Sequence, residues 1–170
     1  MEIINKKQKK VFLLSGIPGA GKSTFINKQM QSKTDIWISR DNIRFGLLKD
    51  GEDYFAHENE VKEIFFNAIA NNTSCSQWEN IYIDATHLNP RARKSTMWNI
   101  SKYCSVIAVS FEIPVKVAIE RNAQRTGRAL VPESVIKNMY DSYKVPTLAE
   151  GFDEIWHVDA EGVIRKEVKE

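Results

Sequence analysis

The sequence predicts an α/β fold in which a parallel, doubly wound sheet of about five strands carries helices on both faces. The first observation is a set of short runs that are almost continuously apolar, as expected for strands buried on both sides. The second is that stretches with helical spacing separate these runs, and this alternation is typical of parallel sheets. The predicted strands are Val11–Ser15, Ile36–Ser39, Ile81–Asp84, Val106–Phe111 and Ile155–Val158.

Five helices are predicted around these strands. The second helix places Phe55, Val61, Phe65 and Ile69 at helical spacing, and Pro90 suits the first turn of the third. In doubly wound sheets ligands bind beyond the carboxyl ends of the strands, so site residues are expected there. The predicted helices are Lys22–Gln31, Tyr54–Ala70, Arg91–Tyr103, Val115–Gln124 and Pro132–Tyr143.

Length and composition indicate one ordinary domain spanning residues 1–170. The chain is 42% hydrophobic and 27% charged, and it has no repeat or low-complexity tract. No apolar run approaches the roughly 20 residues that cross a bilayer, which argues against a membrane protein. Cys75 and Cys104 lack the spacing of a zinc or disulfide framework and fit a reducing compartment, so a cytoplasmic protein is expected.

The net charge of +2 conceals alternating blocks of opposite sign. Residues 1–48 carry nine basic and three acidic side chains, whereas residues 49–84 carry two basic and eight acidic ones. Residues 85–144 are basic again, with ten against four, and residues 145–170 are acidic, with three against seven. The two basic blocks contain most of the motifs described below, which favours a site for polyanions.

Residues 16–24 read Gly-Ile-Pro-Gly-Ala-Gly-Lys-Ser-Thr, a complete GxxxxGK[ST] P-loop (Walker A) motif between a predicted strand and a predicted helix. Its glycines let backbone N–H groups point at phosphate oxygens. Lys22 is expected to reach the β- and γ-phosphates of a nucleoside triphosphate, and the Ser23 hydroxyl to bind Mg²⁺. The fold is therefore expected to be of the P-loop NTPase type. The expected nucleotide-binding residues of the loop are Gly16, Gly19, Ala20, Gly21, Lys22, Ser23 and Thr24.

The rest of the sequence favours phosphoryl transfer to a bound acceptor over hydrolysis. A GTPase would need an Asn-Lys-x-Asp motif after a later strand, which is missing. A motor ATPase usually has a water-polarising glutamate after its Walker-B aspartate, but Asp84 is followed by Ala85. A transferase needs a base for the acceptor hydroxyl, cations for the developing charge and exclusion of water.

Asp41 and Arg44 follow the second predicted strand, where the γ-phosphate of a P-loop protein is expected. Asp41 is positioned to accept the proton of an attacking hydroxyl, and Arg44 lies on the same helical face to hold an anionic group of the acceptor. The alternative is that Asp41 caps the following helix while Arg44 is solvated.

Asp84 occupies the Walker-B position at the end of the third predicted strand. There it either binds a magnesium-bound water or orients Arg44, and the competing interpretation is a structural N-cap. His87, three residues on, is interpreted as a loop histidine without an assigned role.

Two groups of cations remain. Arg91, Arg93 and Lys94 begin a predicted helix, where the dipole disfavours them, so they either bind phosphate or form a solvated face. Arg121 and Arg125 lie four residues apart near a helix end, before a glycine hinge. They indicate an arginine-bearing lid that closes over the triphosphate, with a solvated helix end as the alternative.

Four blocks together resemble the kinase domain of phage polynucleotide 5′-kinases: residues 16–24, 39–44, 84–93 and 121–140. The similarity extends over about residues 10–145 with comparable spacing between blocks. It implies an ATP- and Mg²⁺-dependent kinase whose acceptor is the 5′-hydroxyl end of DNA or RNA, with a role in nucleic-acid repair.

The resemblance also implies roles for individual residues. Asp41 matches the general base and Arg44 the ligand of the acceptor phosphate. Asp84 matches a further carboxylate on the acceptor side. Lys22 and Ser23 match the functional pair of the P-loop. Arg121 and Arg125 match lid arginines that contact ATP, with Arg125 the more important for catalysis.

Two departures from that family keep alternatives open. The sequence after Val158 lacks a DxDGT motif, so no 3′-phosphatase activity is expected. Residues 41–47 also resemble adenylylsulfate kinases, so a kinase of a small acceptor, such as adenylylsulfate or another nucleotide or metabolite, is the first alternative. A non-catalytic nucleotide-binding switch is the second.

Overall fold

A computed structural model describes residues 9–169, and residues 1–8 and 170 of the expected domain lie outside this range. The described chain forms a six-stranded sheet in the order β2-β3-β1-β4-β5-β6. The first five strands are parallel and β6 is antiparallel to β5. The strands are β1 Lys10–Ser15, β2 Asp35–Ser39, β3 Asn80–Asp84, β4 Ser105–Phe111, β5 Glu154–Val158 and β6 Ile164–Val168.

Six α-helices connect the strands. The long helix α3 packs on one face of the sheet through Phe65 and Ile69, whereas α1 packs on the other through Phe25 and Ile26. Two short 3₁₀ turns at Gly127–Ala129 and Leu148–Glu150 complete the elements. The helices are α1 Lys22–Gln29, α2 Arg40–Leu47, α3 Glu58–Ser74, α4 Pro90–Met97, α5 Val115–Asn122 and α6 Glu133–Ser142.

The packing of the core explains why the parallel strands could be predicted from the sequence. Alternate residues of β1 enter opposite layers, with Val11 beside α3 and Leu14 beside α1, and both are fully buried. Each buried aliphatic or aromatic side chain contributes about 1.5–3 kcal/mol of transfer free energy. All five predicted strands are confirmed to within a residue at either end.

The prediction was wrong where local polarity hides an element. Helix α2 begins directly at the end of β2 and was not among the predicted helices, although the interpretation of Asp41 and Arg44 assumed a helical turn there. Strand β6 is an exposed sheet edge, with only Ile164 partly buried. The predicted helix from Tyr54 begins instead at Glu58, and Phe55 is 63% exposed in the preceding turns.

The strand order positions the site. In parallel register Leu14 pairs with Asp84, which in turn pairs with Ser39 of β2. The carboxyl ends of β1, β3 and β2 therefore lie side by side, with β3 in the middle. Among residues 9–169, no helix combines the length and apolar character required to cross a membrane.

Candidate active site

The P-loop, residues 16–24, joins β1 to α1 through two left-handed glycines. Gly19 has φ +80°, and a Cβ there would lie 2.2 Å from the carbonyl oxygen of Ala118 in α5. Gly21 has φ +99° and directly precedes α1. Only glycine adopts these conformations without strain, and the loop ends at the positive end of the helix, where backbone N–H groups suit phosphate.

The other P-loop positions divide into supporting and accessible residues. The Gly16 N–H donates to the Thr86 carbonyl at 2.9 Å, which ties the loop to the segment after β3. Ala20 is buried. Ser23 and Thr24 are exposed in the first turn of α1, so their hydroxyls are accessible to a ligand.

Lys22 folds back over the loop, and its Nζ donates to the carbonyls of Gly16 at 2.8 Å and Ile17 at 3.1 Å. Burial lowers the pKa of Lys22, and the charge of Arg125 acts in the same direction, while Asp84 and Asp41 oppose it. The charges of Asp84, Asp41 and Arg125 therefore all act on the P-loop lysine.

Asp84 lies at the end of β3, where Trp37 Nε1 donates to its Oδ2 at 3.3 Å. Burial raises the pKa of Asp84, and Asp41 contributes in the same direction, while Lys22 is the main opposing charge. Asp84 does not cap α4, because Asn89 does so through the Ala92 N–H. Within the described chain it makes no hydrogen bond to Arg44 either, so the orienting role expected from the sequence is not seen.

Asp41 lies in the first turn of α2 and is not its cap, because the Ser39 hydroxyl accepts from the Asn42 N–H. Asp41 Oδ1 accepts from Arg44 Nη1 at 2.5 Å and from the Tyr54 hydroxyl at 2.9 Å. Its side chain is 60% exposed, and within residues 9–169 its Oδ2 makes no hydrogen bond. One carboxylate oxygen is therefore held while the other remains accessible.

Arg44 is buried rather than solvated, and Glu58 at the start of α3 is its second anionic partner. Arg44 Nη2 donates to Glu58 Oε2 at 2.6 Å, and Arg40 donates to Glu58 Oε1. Burial opposes ionisation of Glu58, but the hydrogen bond from Arg44 and the charge of Arg40 lower its pKa below the ordinary value. Burial and the negative charge of Asp41 raise the pKa of Tyr54 to about 12.

Sequence reasoning missed Glu58, Tyr54 and Trp37. Glu58 and Tyr54 stand in the acidic block of residues 49–84, where no motif was identified before Asp84, and each binds Arg44 across a turn of irregular chain. A usable signal was the pairing requirement itself, because a buried arginine needs carboxylates near it.

The lid arginines differ in exposure. Arg121 is half-buried, and its Nη2 donates to the Ala160 carbonyl at 2.6 Å. Its Nη1 also lies 3.5 Å from the Cβ position of Gly21, so it packs against the P-loop. Arg125 is exposed, yet its charge acts on Lys22 and Asp84.

Hydrogen bonds hold the segment between α5 and α6 at two places. Asn122 Nδ2 donates to the Val131 carbonyl at 2.8 Å, and the Val131 N–H donates back to Asn122 Oδ1 at 3.1 Å. Arg128 donates to the carbonyl of Lys49, beyond the end of α2. The lid therefore contacts the segment that holds the acceptor-side residues.

Arg93 corrects both interpretations given to the cations of α4, because it is fully buried. Its Nε and Nη2 each donate to the Glu150 carboxylate at 2.7 Å, and its Nη1 donates to the His87 and Lys144 carbonyls. Arg93 is thus a structural brace that joins α4 to Glu150. Arg91 and Lys94, by contrast, are exposed.

His87 is also structural. Its ring nitrogens contact the Leu14 carbonyl at 2.6 Å and the Thr96 hydroxyl at 2.9 Å. Burial lowers the pKa of His87 to about 4, so the ring is neutral at ordinary pH.

The residues present fit ATP and Mg²⁺. The glycine-lined cradle leaves no room for a Cβ, as expected where a backbone approaches phosphates. The Ser23 hydroxyl and the Asp84 carboxylate supply the oxygen donors that Mg²⁺ prefers. Asp41 keeps one oxygen accessible, while the other accepts from Arg44. This arrangement suits transfer of a phosphoryl group to a hydroxyl.

The parallel sheet and the P-loop define a P-loop nucleotide-binding domain. The particular family follows from comparison with known sequences. The model of the AAA domain family matches residues 11–146, and the chain belongs to that family.

The proteins to which this chain is similar are named for different activities. The L-seryl-tRNA(Sec) kinase of Methanococcus maripaludis is 28% identical over 148 residues, which are 80% of this chain and 53% of that protein. The chain thus spans about half the length of this curated relative. A subunit in the structure of the Pnkp1/Rnl/Hen1 RNA repair complex is 21% identical with a TM-score of 0.69, covering 84% of this chain and 46% of that one. A gluconokinase from Sinorhizobium meliloti is 15% identical with a TM-score of 0.57, covering 89% and 83%. The two structures share the fold.

Proposed function

We propose that this protein transfers the γ-phosphate of ATP to the 5′-hydroxyl end of DNA or RNA. The observation that carries the proposal is the arrangement of Asp41. One of its oxygens is fixed by Arg44 and Tyr54, and the other is accessible in a site shared with the P-loop lysine. A fixed carboxylate with one accessible oxygen suits a general base that accepts the proton of an incoming hydroxyl.

In this mechanism Asp41 Oδ2 accepts the proton of the 5′-hydroxyl as its oxygen forms a bond to the γ-phosphorus. The bond from the γ-phosphorus to the β,γ-bridging oxygen breaks, and its electron pair leaves with ADP. Lys22 and Arg125 carry positive charge to the transferred group, and Arg121 packs beside the P-loop. The Ser23 hydroxyl would hold Mg²⁺, which when bound would supply positive charge to the phosphates.

Arg44 retains donors for an acceptor phosphate. A guanidinium has five N–H groups. Within the described chain its hydrogen bonds go to Asp41, Tyr54 and Glu58, and its buried Nε lacks a partner there. A phosphate on the 3′ side of the terminal nucleotide would supply oxygens for the unused donors, as a charge-assisted contact.

Three further observations support a polynucleotide acceptor and a role in repair of nucleic-acid ends. The four motif blocks resemble the phage enzymes in order and spacing. One structural neighbour belongs to an RNA repair complex, and a curated relative is a kinase named for a tRNA substrate. The basic blocks of the chain also suit a polyanion.

The test is transfer of label from γ-labelled ATP to a panel of acceptors: 5′-hydroxyl DNA and RNA oligonucleotides, a 3′-mononucleotide and adenylylsulfate. We expect labelled oligonucleotide ends, with a rate that falls as salt rises because phosphate contacts release counterions. Asp41→Asn should bind ATP normally and lose transfer. Near-normal turnover by Asp41→Asn would contradict the assignment of the base.

A kinase of a small acceptor is the second candidate, and the acidic flank of Arg44 favours it. Glu58 neutralises Arg44 directly, Glu60 follows it in the first turn of α3, and Glu52 and Asp53 lie in the chain before that helix. These charges repel a long phosphate backbone more than a single small acceptor. Labelling of adenylylsulfate or the mononucleotide, with no labelling of oligonucleotides, would favour this candidate. Tight ATP binding without labelling of any acceptor would indicate a nucleotide-binding switch.

A further inference from the structure

The turns between α2 and α3 bring an aromatic pair to the acceptor side of the site. The Tyr54 hydroxyl contacts Asp41 at 2.9 Å and Arg44 at 3.0 Å. The Arg44 guanidinium carbon also lies 4.5 Å from the centre of the Tyr54 ring. Tyr54 is therefore part of the network around Asp41 and Arg44, and Phe55 follows it directly in the chain.

Phe55 is the exposed member of the pair. Its ring meets Tyr54 edge-to-face, with centroids 4.9 Å apart and an interplanar angle of 83°. It also lies 5.7 Å from the Arg44 guanidinium carbon, and 63% of the residue remains exposed. Isolated exposed aromatics are common on protein surfaces. Phe55 differs because its ring contacts two side chains of the acceptor network while most of it stays open to a ligand.

A cavity of about 280 Å³ adjoins the Phe55 ring. This volume is at the small end of the range for ligand pockets, which suits one aromatic ring system better than a whole nucleotide. The amide of Asn59 and the carboxylate of Glu60 border it, so an apolar platform lies beside hydrogen-bonding groups. The lining residues are Phe55, Ala56, His57, Glu58, Asn59 and Glu60.

The negative charge of residues 49–63 determines which part of an acceptor is favoured in the cavity. Residues 49–63 contain six acidic and two basic side chains. Away from Arg44, phosphate groups are therefore disfavoured in this cavity, whereas a nucleobase carries no charge and stacks on an aromatic face. A 5′-hydroxyl end has no phosphate beyond its terminal sugar, so its base is the part best suited to this flank.

We propose that Phe55 and the adjoining cavity form a stacking subsite for a nucleobase at the 5′ end of the acceptor. The proposal rests on the polynucleotide function proposed above. Base–aromatic stacking predicts that removing either the base or the ring weakens acceptor use about 5- to 100-fold, mainly through KM.

The experiment compares two labelled acceptors, an intact 5′-hydroxyl oligonucleotide and one whose two 5′-terminal nucleotides lack bases. Wild type should prefer the intact acceptor, Phe55→Ala should use both equally, and Phe55→Trp should restore the preference. Tyr103→Ala is the matched control, because Tyr103 is another exposed aromatic, with 76% exposure, and contacts Lys102 instead of the site.

The outcomes distinguish failure of the polynucleotide function from failure of the stacking subsite alone. If wild type labels neither oligonucleotide, the polynucleotide function fails, and the stacking subsite fails with it. If wild type labels both and Phe55→Ala keeps the wild-type preference, only the subsite fails. A Phe55→Ala variant that loses the same factor on both acceptors also overturns the subsite, because stacking acts only when the base is present.

Discussion

Replacement of Arg93 by methionine tests whether this residue is a brace or a phosphate ligand. The change removes two hydrogen bonds of 2.7 Å to Glu150 and those to two carbonyls, at a position with no solvent exposure. Breaking a buried pair by removing one partner costs about 3–5 kcal/mol. In a domain of this size each kcal/mol lowers Tm by about 2–4 °C, so we expect a fall of about 6–20 °C.

Thermal and urea unfolding followed by circular dichroism measure this change directly. Arg91→Met is the matched control, because Arg91 is exposed on the same helix and should change Tm by only a degree or two. The double variant Arg93→Met/Glu150→Met should regain part of the loss, since it leaves no unpaired carboxylate. Wild-type stability in Arg93→Met, together with weaker acceptor binding, would refute the brace and restore the phosphate interpretation.

Three other predictions follow from the same geometry. Gly19→Ala should lose ATP binding in a titration, because its Cβ would lie 2.2 Å from a carbonyl oxygen of α5, whereas Gly46→Ala, with open space around it, should bind normally. Glu58→Gln should lower kcat/KM for the acceptor about 10- to 100-fold by weakening charge-assisted hydrogen bonds, and Glu63→Gln, at an exposed position of α3, should not; equal values would contradict a positioning role. His87 has a pKa of about 4 when folded and about 6.5 when unfolded, so the unfolded chain binds more protons between these values. The free energy of unfolding should therefore fall as pH drops from 6.5 to 4, and His87→Gln should flatten that dependence.

The parts of the fold that the sequence revealed are those with a strong local pattern. The five buried strands show continuous apolar runs, and the P-loop shows a fixed spacing of glycines around Lys22. Strand β6 is polar and mostly exposed, and helix α2 is short with a buried arginine, so both depend on neighbours that a linear pattern does not contain. Arg93 illustrates the same limit, because its partner Glu150 is 57 residues away.

The candidate site shows why spacing alone gave an incomplete description. The three-residue separation of Asp41 and Arg44 correctly placed both on one face of a helix, and their side chains are in fact hydrogen-bonded. The partner that completes the set, Glu58, comes from another helix 14 residues beyond Arg44. A sequence pattern identifies the groups that lie on one turn of a helix. Tertiary packing decides which groups form hydrogen bonds and ion pairs with one another.

This direct bond has a consequence for the acceptor side. Because Arg44 holds one oxygen of Asp41, Arg44→Ala removes an acceptor contact and also releases the proposed base. The two effects should not be additive with Asp41→Asn, and a double-mutant cycle on transfer rate should give a coupling of about 0.5–3 kcal/mol, as measured for side chains in contact. Additive losses would mean that the two residues act independently. In that case the hydrogen bond between them would have no part in orienting the carboxylate toward the acceptor hydroxyl.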